Sequence, residues 1–168
     1  GIDFGTESAR AVLVDVADGR LVTTAAFAYP HGVIDRTLPG QAAPLPPDYA
    51  LQDPQDWLDA LWALLTQIAA AAPAEEIVGI GIDFTSCTVL PTTADGTPLC
   101  ALRDYRGEPH AWPKLWKHHA AQPYADRINA AAGHPGGEFL RFYGGRTSSE
   151  WLWAKGWQFL AEAPALAE

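Results

Sequence analysis

A near-continuous apolar run, Ile77 to Phe84, stands shortly after a segment of helical periodicity, and this order constrains the fold more than any other feature. A strand that is apolar at almost every position is expected to be covered on both faces, as strands of α/β sheets are. Ahead of the helix, Ala9 to Val16 and Leu21 to Tyr29 are β-rich runs separated by Asp18-Gly19, a strong two-residue hairpin signal. Gly1 to Phe4 precedes them, joined through Gly5-Thr6-Glu7-Ser8. The coarse order is therefore strand, strand, strand, helix, strand.

The helix is well delimited. Asp53 is placed as N-cap and Pro54 at the first helical position, and Pro73 closes the segment. Trp57, Leu58, Leu61, Trp62, Leu64, Leu65 and Ile68 recur at helical spacing, which predicts one broad buried face. Residues 31–50 contain Pro39, Pro44, Pro46 and Pro47 and read as a surface loop. Thr88 to Thr93 with a turn at Asp95-Gly96 predicts a second hairpin. From Trp112 the pattern is helical through Ile128 and Ala132, a Gly-rich break covers Gly133 to Gly137, and a last helix runs from Ser148 to Leu160 and on towards Glu168, with Trp151, Trp153 and Trp157 expected in the core. Gly1-Ile2-Asp3-Phe4 recurs as Gly81-Ile82-Asp83-Phe84, each copy followed by Thr and then Ser. The opening strand already in progress and the uncapped last helix suggest an excerpt of a longer protein.

Composition removes whole classes of function. At 168 residues the chain suits about one domain and can bury a core without disulfides or a structural metal. With 11 basic and 20 acidic residues the net charge is −9, which disfavours nucleic acid or an anionic membrane as partner. Cys87 and Cys100 form no CxxC pattern, which suggests a reducing compartment, with the cytoplasm as default. No apolar window reaches the length of a membrane span and no secretory leader opens the sequence.

Four segments could carry chemistry. In Asp3-Phe4-Gly5-Thr6-Glu7-Ser8 a strand-end acid precedes a turn that can aim N–H groups and hydroxyls at a phosphate while the carboxylate holds Mg²⁺ directly or through water. It is not a Walker A loop, and the plain alternative is a strand turn in which Gly5 serves geometry. Asp83-Phe84-Thr85-Ser86-Cys87-Thr88 sets hydroxyls where a buried strand emerges, able to bond a polyol or simply to satisfy a loop. Leu115-Trp116-Lys117-His118-His119 would gather an aromatic face with cationic and imidazole groups on one helical turn, suited to a sugar, although a solvated amphipathic helix explains the histidines equally. Tyr143-Gly144-Gly145-Arg146-Thr147-Ser148-Ser149-Glu150-Trp151 is a Gly-rich loop in which Ser148 or Ser149 caps the next helix and Glu150 sits in its first turn; why Tyr143 precedes two glycines is left open.

In order and spacing, these four segments resemble the amino-terminal part of the FGGY carbohydrate kinases, over nearly the whole chain; the second and third resemble the branch acting on L-ribulose. The resemblance implies an α/β fold of ribonuclease H-like (actin and sugar kinase superfamily) type, a mixed sheet with flanking helices, with residues 1–168 as a partial, sugar-binding amino-terminal domain and a nucleotide-binding domain outside this chain. It implies ATP and Mg²⁺ as cofactors and a ketopentose as substrate, most closely L-ribulose converted to its 5-phosphate in L-arabinose catabolism. Another sugar kinase, such as one for xylulose, and a non-catalytic sugar-binding domain are the alternatives. By position, Asp3 is implied to hold the metal and Gly5, Thr6 and Ser8 to face the phosphates. Thr85, Ser86, Trp116 and Tyr143 are implied to face the sugar, and Cys87, Lys117 and Glu150, in the same segments, are added as candidate sugar contacts. Thr85 and Ser86 stand where glycerol kinases carry an Arg-Glu pair, which disfavours glycerol. The catalytic aspartate of the family lies downstream of any matched segment. A homo-oligomer is compatible with the sequence.

Overall fold

The computed structural model describes residues 1–133 and 137–167, so most of the Gly-rich break and Glu168 lie outside the described residues. The strands are β1 (Ile2–Phe4), β2 (Ser8–Val14), β3 (Leu21–Ala28) and β4 (Ile82–Phe84), and the α-helices are α1 (Pro54–Ala69), α2 (Gln122–Ala131) and α3 (Leu152–Glu162). The four strands form a mixed sheet ordered β3-β2-β1-β4, in which β1 runs antiparallel to β2 and parallel to β4. This is the expected mixed sheet with flanking helices. The chain divides into two compact units, one of Gly1–Val33 with Asp53–Ser86 and one of Ile34–Gln52 with Cys87–Glu168.

In the first unit the β2-β3 hairpin turns as expected at Asp18-Gly19, where Gly19 takes a φ of +76° that a side chain would resist. β1 alternates, Ile2 and Phe4 pointing into the core and Asp3 away from it. The core joins Ile2, Phe4, Ala9 and Ala11 of the sheet to Ala60, Leu64 and Ile68 of α1. Asp53 caps α1 by accepting from the Gln55 N–H at 2.9 Å. The buried face of α1 is narrower than its apolar spacing predicts. Leu58 and Trp62 are exposed, because a helix lying across a sheet touches it along one i, i+4 row, here Ala60, Leu64 and Ile68.

The apolar run Ile77 to Phe84 departs further from expectation. It yields only the three-residue β4, and none of its residues is buried. β4 occupies the sheet edge and pairs with β1 alone, so the covering anticipated from its composition is absent among the described residues. The repeated tetrapeptide has a direct structural counterpart: Ile2 pairs with Ile82, Asp3 with Asp83 and Phe4 with Phe84, and the two phenylalanine rings stack at 5.4 Å.

The second unit is built mostly from irregular backbone tied by isolated bridges, among them Leu51 with Lys114 and Val89 with Lys114. The second hairpin is reduced to one bridge, Thr92 with Pro98, around the expected Asp95-Gly96 turn, because Pro91 and Pro98 cannot donate to a longer ladder. The helix expected from Trp112 begins only at Gln122. Pro113 holds Trp112 extended at φ −93°, ψ 152°, and the N–H groups of Lys114 and Leu115 go to Val89 and Ala50 instead of to a helical turn. The last helix starts at Leu152, not Ser148, and its amphipathicity is inverted. Ala154, Lys155 and Gln158 face inward, whereas Trp153 and Trp157, and Trp151 just before the helix, are exposed rather than core.

Candidate functional site

The residues singled out by sequence fall on both units. Asp3, Gly5, Thr6, Ser8, Thr85 and Ser86 belong to the first, and Cys87, Trp116, Lys117, Tyr143 and Glu150 to the second.

In the first unit β1 turns Asp3 to the open face of the sheet, with Arg10 as its partner on β2 and Asp83 as its partner on β4. The three side chains line a shallow depression of about 500 Å³ together with Gly1, Val12 and Gly81. Sequence reading gave Asp3 a role, named Asp83 only at the head of its segment and passed over Arg10; the repeated tetrapeptide was the available signal, since identical strands in parallel register set their acids side by side. Like charges directly opposite one another on a sheet repel. Two hard oxygen donors beside a guanidinium suit Mg²⁺ and a phosphate, so the residues present fit the groups the resemblance implies. The turn after β1 is spent on its own geometry: the Gly5 N–H donates to the Ser8 carbonyl at 3.0 Å, and a Cβ on Gly5 would meet that same oxygen at 3.0 Å. Thr85 closes the other strand end, its N–H and hydroxyl both donating to the Phe4 carbonyl at 2.9 Å, so the hydroxyl faces any ligand as an acceptor. Ser86 is exposed beside it.

In the second unit Trp116 and Lys117 lie on a turn rather than on a helix, Trp116 exposed and Lys117 half-buried. His118 is fully buried, correcting its placement on a solvated helix face. Its Nδ1 accepts from the Ala50 N–H at 3.3 Å and its Nε2 lies 3.0 Å from the Gln158 Oε1, an arrangement that asks for a neutral imidazole. Burial pushes its pKa down to about 3. Below the ordinary histidine value of 6.5 the unfolded chain takes up this proton and the folded one does not, so stability is expected to fall as pH drops from 6.5 towards 3. In urea titrations of the intact protein, His118→Gln should flatten this limb by up to about 1.4 kcal/mol per pH unit; an unchanged slope would refute a neutral, buried His118. His119 pairs its Nδ1 with the Ser149 hydroxyl at 3.0 Å, and Ser148 accepts from the Glu150 N–H at 3.3 Å, so neither serine caps α3.

The two glycines after Tyr143 take φ values of +72° and +90°, and the Gly145 N–H returns to the Leu140 carbonyl at 2.8 Å. This is a left-handed helix stop, which explains the pair as chain reversal. Tyr143 meets Trp151 edge to face at 5.3 Å and lines an apolar groove of about 740 Å³ with Phe139, Trp153, Trp157 and Leu160.

The residue that sequence reading missed altogether is Lys155. It is 1% exposed, and its Nζ donates to the carbonyls of Cys87 and Leu115, each at 2.7 Å, and more distantly to that of Lys114 at 3.5 Å. Burial pushes its pKa down to about 8. The signal was a lysine in an otherwise apolar run, Trp153-Ala154-Lys155-Gly156-Trp157, which helical periodicity assigns to solvent.

No protein-family model matches the chain. Among curated proteins it is 50% identical over 169 residues to the ribulokinase of Mycolicibacterium smegmatis, covering 99% of this chain and 30% of the relative. It is 49% identical over 167 residues to the ribulokinase of Geobacillus thermodenitrificans, covering 98% of the chain and 29% of the relative. Along nearly its whole length the chain is similar to part of the ribulokinases, within the FGGY carbohydrate kinases. It spans about 30% of the length of the curated relatives it matches. Among solved structures, a xyloylose kinase from Brucella ovis superposes with a TM-score of 0.73 at 23% identity, over 99% of this chain and 29% of that one. A xylulose kinase from Rhodospirillum rubrum gives 0.71 at 22% identity, again over 99% and 29%. At such identities these two speak for the fold alone, which they share with this chain.

Proposed function

We propose that the protein to which this chain belongs phosphorylates a ketopentose with MgATP, that its preferred substrate is L-ribulose, and that the product is L-ribulose 5-phosphate. The observation that carries the reading is identity near 50% to ribulokinases along essentially the whole chain. In this reading residues 1–168 form the partial amino-terminal, sugar-holding domain of a cytoplasmic enzyme, and the nucleotide-binding domain and the catalytic base lie elsewhere in the protein. Among the described residues no helix is long and apolar enough to cross a membrane.

Phosphoryl transfer depends on placing the hydroxyl in line with the phosphate, on neutralising charge and on excluding water. Mg²⁺, when bound, would supply the charge neutralisation. Asp3, with Asp83 beside it, would hold the ion, and Arg10 would add a guanidinium to the same face. Gly5 shapes the turn after β1, and Thr6 and Ser8 set hydroxyls along it towards the phosphates. Thr85, Ser86 and Cys87 are assigned to sugar hydroxyls, with Thr85 accepting. Trp116 offers a flat ring to the C–H face of the sugar, and Lys117, Tyr143 and Glu150 complete the assignment.

An ADP-release assay of the intact protein across L-ribulose, D-ribulose, D-xylulose and glycerol tests the reading. The highest kcat/KM is expected for L-ribulose. A clear preference for D-xylulose would move the protein to another branch of the family, and no turnover with any sugar would leave a binding domain.

A further inference from the structure

We propose that Lys155 is the positioning residue that fixes the Cys87 and Trp116 segments relative to each other, so that the ketopentose meets them preassembled. The inference rests on the proposed function for its sugar, and on geometry for the rest.

An ammonium on a helix ordinarily extends its methylene stem and keeps its charge in water. Lys155 instead turns inward from α3 and is almost completely buried. Burying an ammonium is costly unless its three donors are used, and no ion pair to Lys155 is found among the described residues. Its donors go to main-chain carbonyls of two separate segments, at Cys87 and at Leu115 and Lys114. One of these carbonyls belongs to the residue immediately before Trp116. The other belongs to Cys87, which takes a φ of +66°, a left-handed conformation that a β-carbon disfavours and that needs outside support.

The two segments are already joined once. Val89 and Lys114 exchange N–H to carbonyl bonds at 3.0 and 2.8 Å. That bridge lies two residues beyond Cys87 and two before Trp116, so the ends that carry the candidate contacts extend past it. Lys155 spans those ends. Removing its ammonium strips the strongest bonds from both carbonyls, frees Cys87 to relax to negative φ and lets Trp116 shift. Neighbouring Lys114 is equally buried, but its Nζ reaches the His110 carbonyl at 3.4 Å and the Phe159 ring and bonds neither Cys87 nor Leu115, so it serves as an internal comparison.

The test uses the intact protein. Lys155→Met is expected to raise the KM for L-ribulose about 10-fold or more while the KM for ATP stays within about threefold. Lys114→Met should leave the sugar KM within about threefold even where it lowers the unfolding midpoint as much. A sugar KM unchanged in Lys155→Met, or raised equally in both variants, overturns the proposal. If Lys155→Met is not recovered folded, Lys155→Gln, whose shorter amide cannot span both carbonyls, is held to the same criteria. The second readout does not require turnover: labelling of the Cys87 thiol by a maleimide, followed on its own peptide by mass spectrometry, should accelerate at least about 10-fold in the Lys155 variant and not in Lys114→Met. An unchanged labelling rate counts against the proposal whatever the kinetics. A wild-type protein that turns over no sugar, together with accelerated labelling in the Lys155 variant, would defeat the functional reading and leave the clamp standing.

Discussion

Asp3→Asn in the intact protein is expected to lower kcat by about two orders of magnitude, close to 2.7 kcal/mol of lost transition-state stabilisation, with the sugar KM nearly unchanged. The substitution keeps the shape of the side chain and its place on β1, where Asp3 points to the open face between Arg10 and Asp83. What it removes is the charge that would hold the metal. Ile2 and Phe4, which anchor the strand in the core, are untouched, so the unfolding midpoint should hold. Trp116→Ala makes the opposite split: its ring is exposed on a turn, and its loss should raise the sugar KM about 10-fold while kcat changes little. Steady-state kinetics in both substrates distinguish the two. Equal effects on kcat and KM in both variants would remove the assignment of metal to one residue and sugar to the other.

Residues 1–168 expressed alone are expected to release no ADP above background with any pentulose, because the catalytic base is assigned to the remainder of the protein. The same polypeptide should bind a hydrophobic dye strongly and associate as its concentration rises. Val78, Ile80 and Phe84 stand exposed in the first unit, and Trp153, Trp157 and Leu160 in the second, where they flank the apolar groove. Apolar surface of this extent is uncommon on a free monomer. Measurable turnover by the isolated chain would return the base to these residues, and a dye-negative monomer would refute the exposure of these side chains.

Local chemistry was the legible part of the sequence. Asp53-Pro54 sets the start of α1, Asp18-Gly19 sets the hairpin, and the repeated tetrapeptide marks two strands in register, because each is decided within a few residues. The misreadings share a cause: periodicity reports which face is apolar, not what covers it. The run ending at Phe84 became an exposed edge, α1 buried only one row, and α3 turned its tryptophans outward. The helix anticipated from Trp112 gave way to Pro113 and to bonds with Val89 and Ala50, partners distant in sequence. At the site Asp3 stands exposed in the middle of the short β1, whereas Lys155 was invisible because a helical lysine reads as solvated until its carbonyl partners are known.

The alignment of Gly1-Ile2-Asp3-Phe4 with Gly81-Ile82-Asp83-Phe84 has a cost beyond the sheet it builds. Like residue over like residue, in parallel and in register, is the repeat of a cross-β fibril, and β4, the outermost strand among the described residues, leaves room for a third copy from another molecule, with its Phe84 N–H already turned to the Asp83 carboxylate at 2.9 Å. The stacked aspartates are the gatekeepers against such growth, since every added rung would bring another carboxylate into line. A cation shared along the row would therefore disarm the barrier at the position where the fold most needs it.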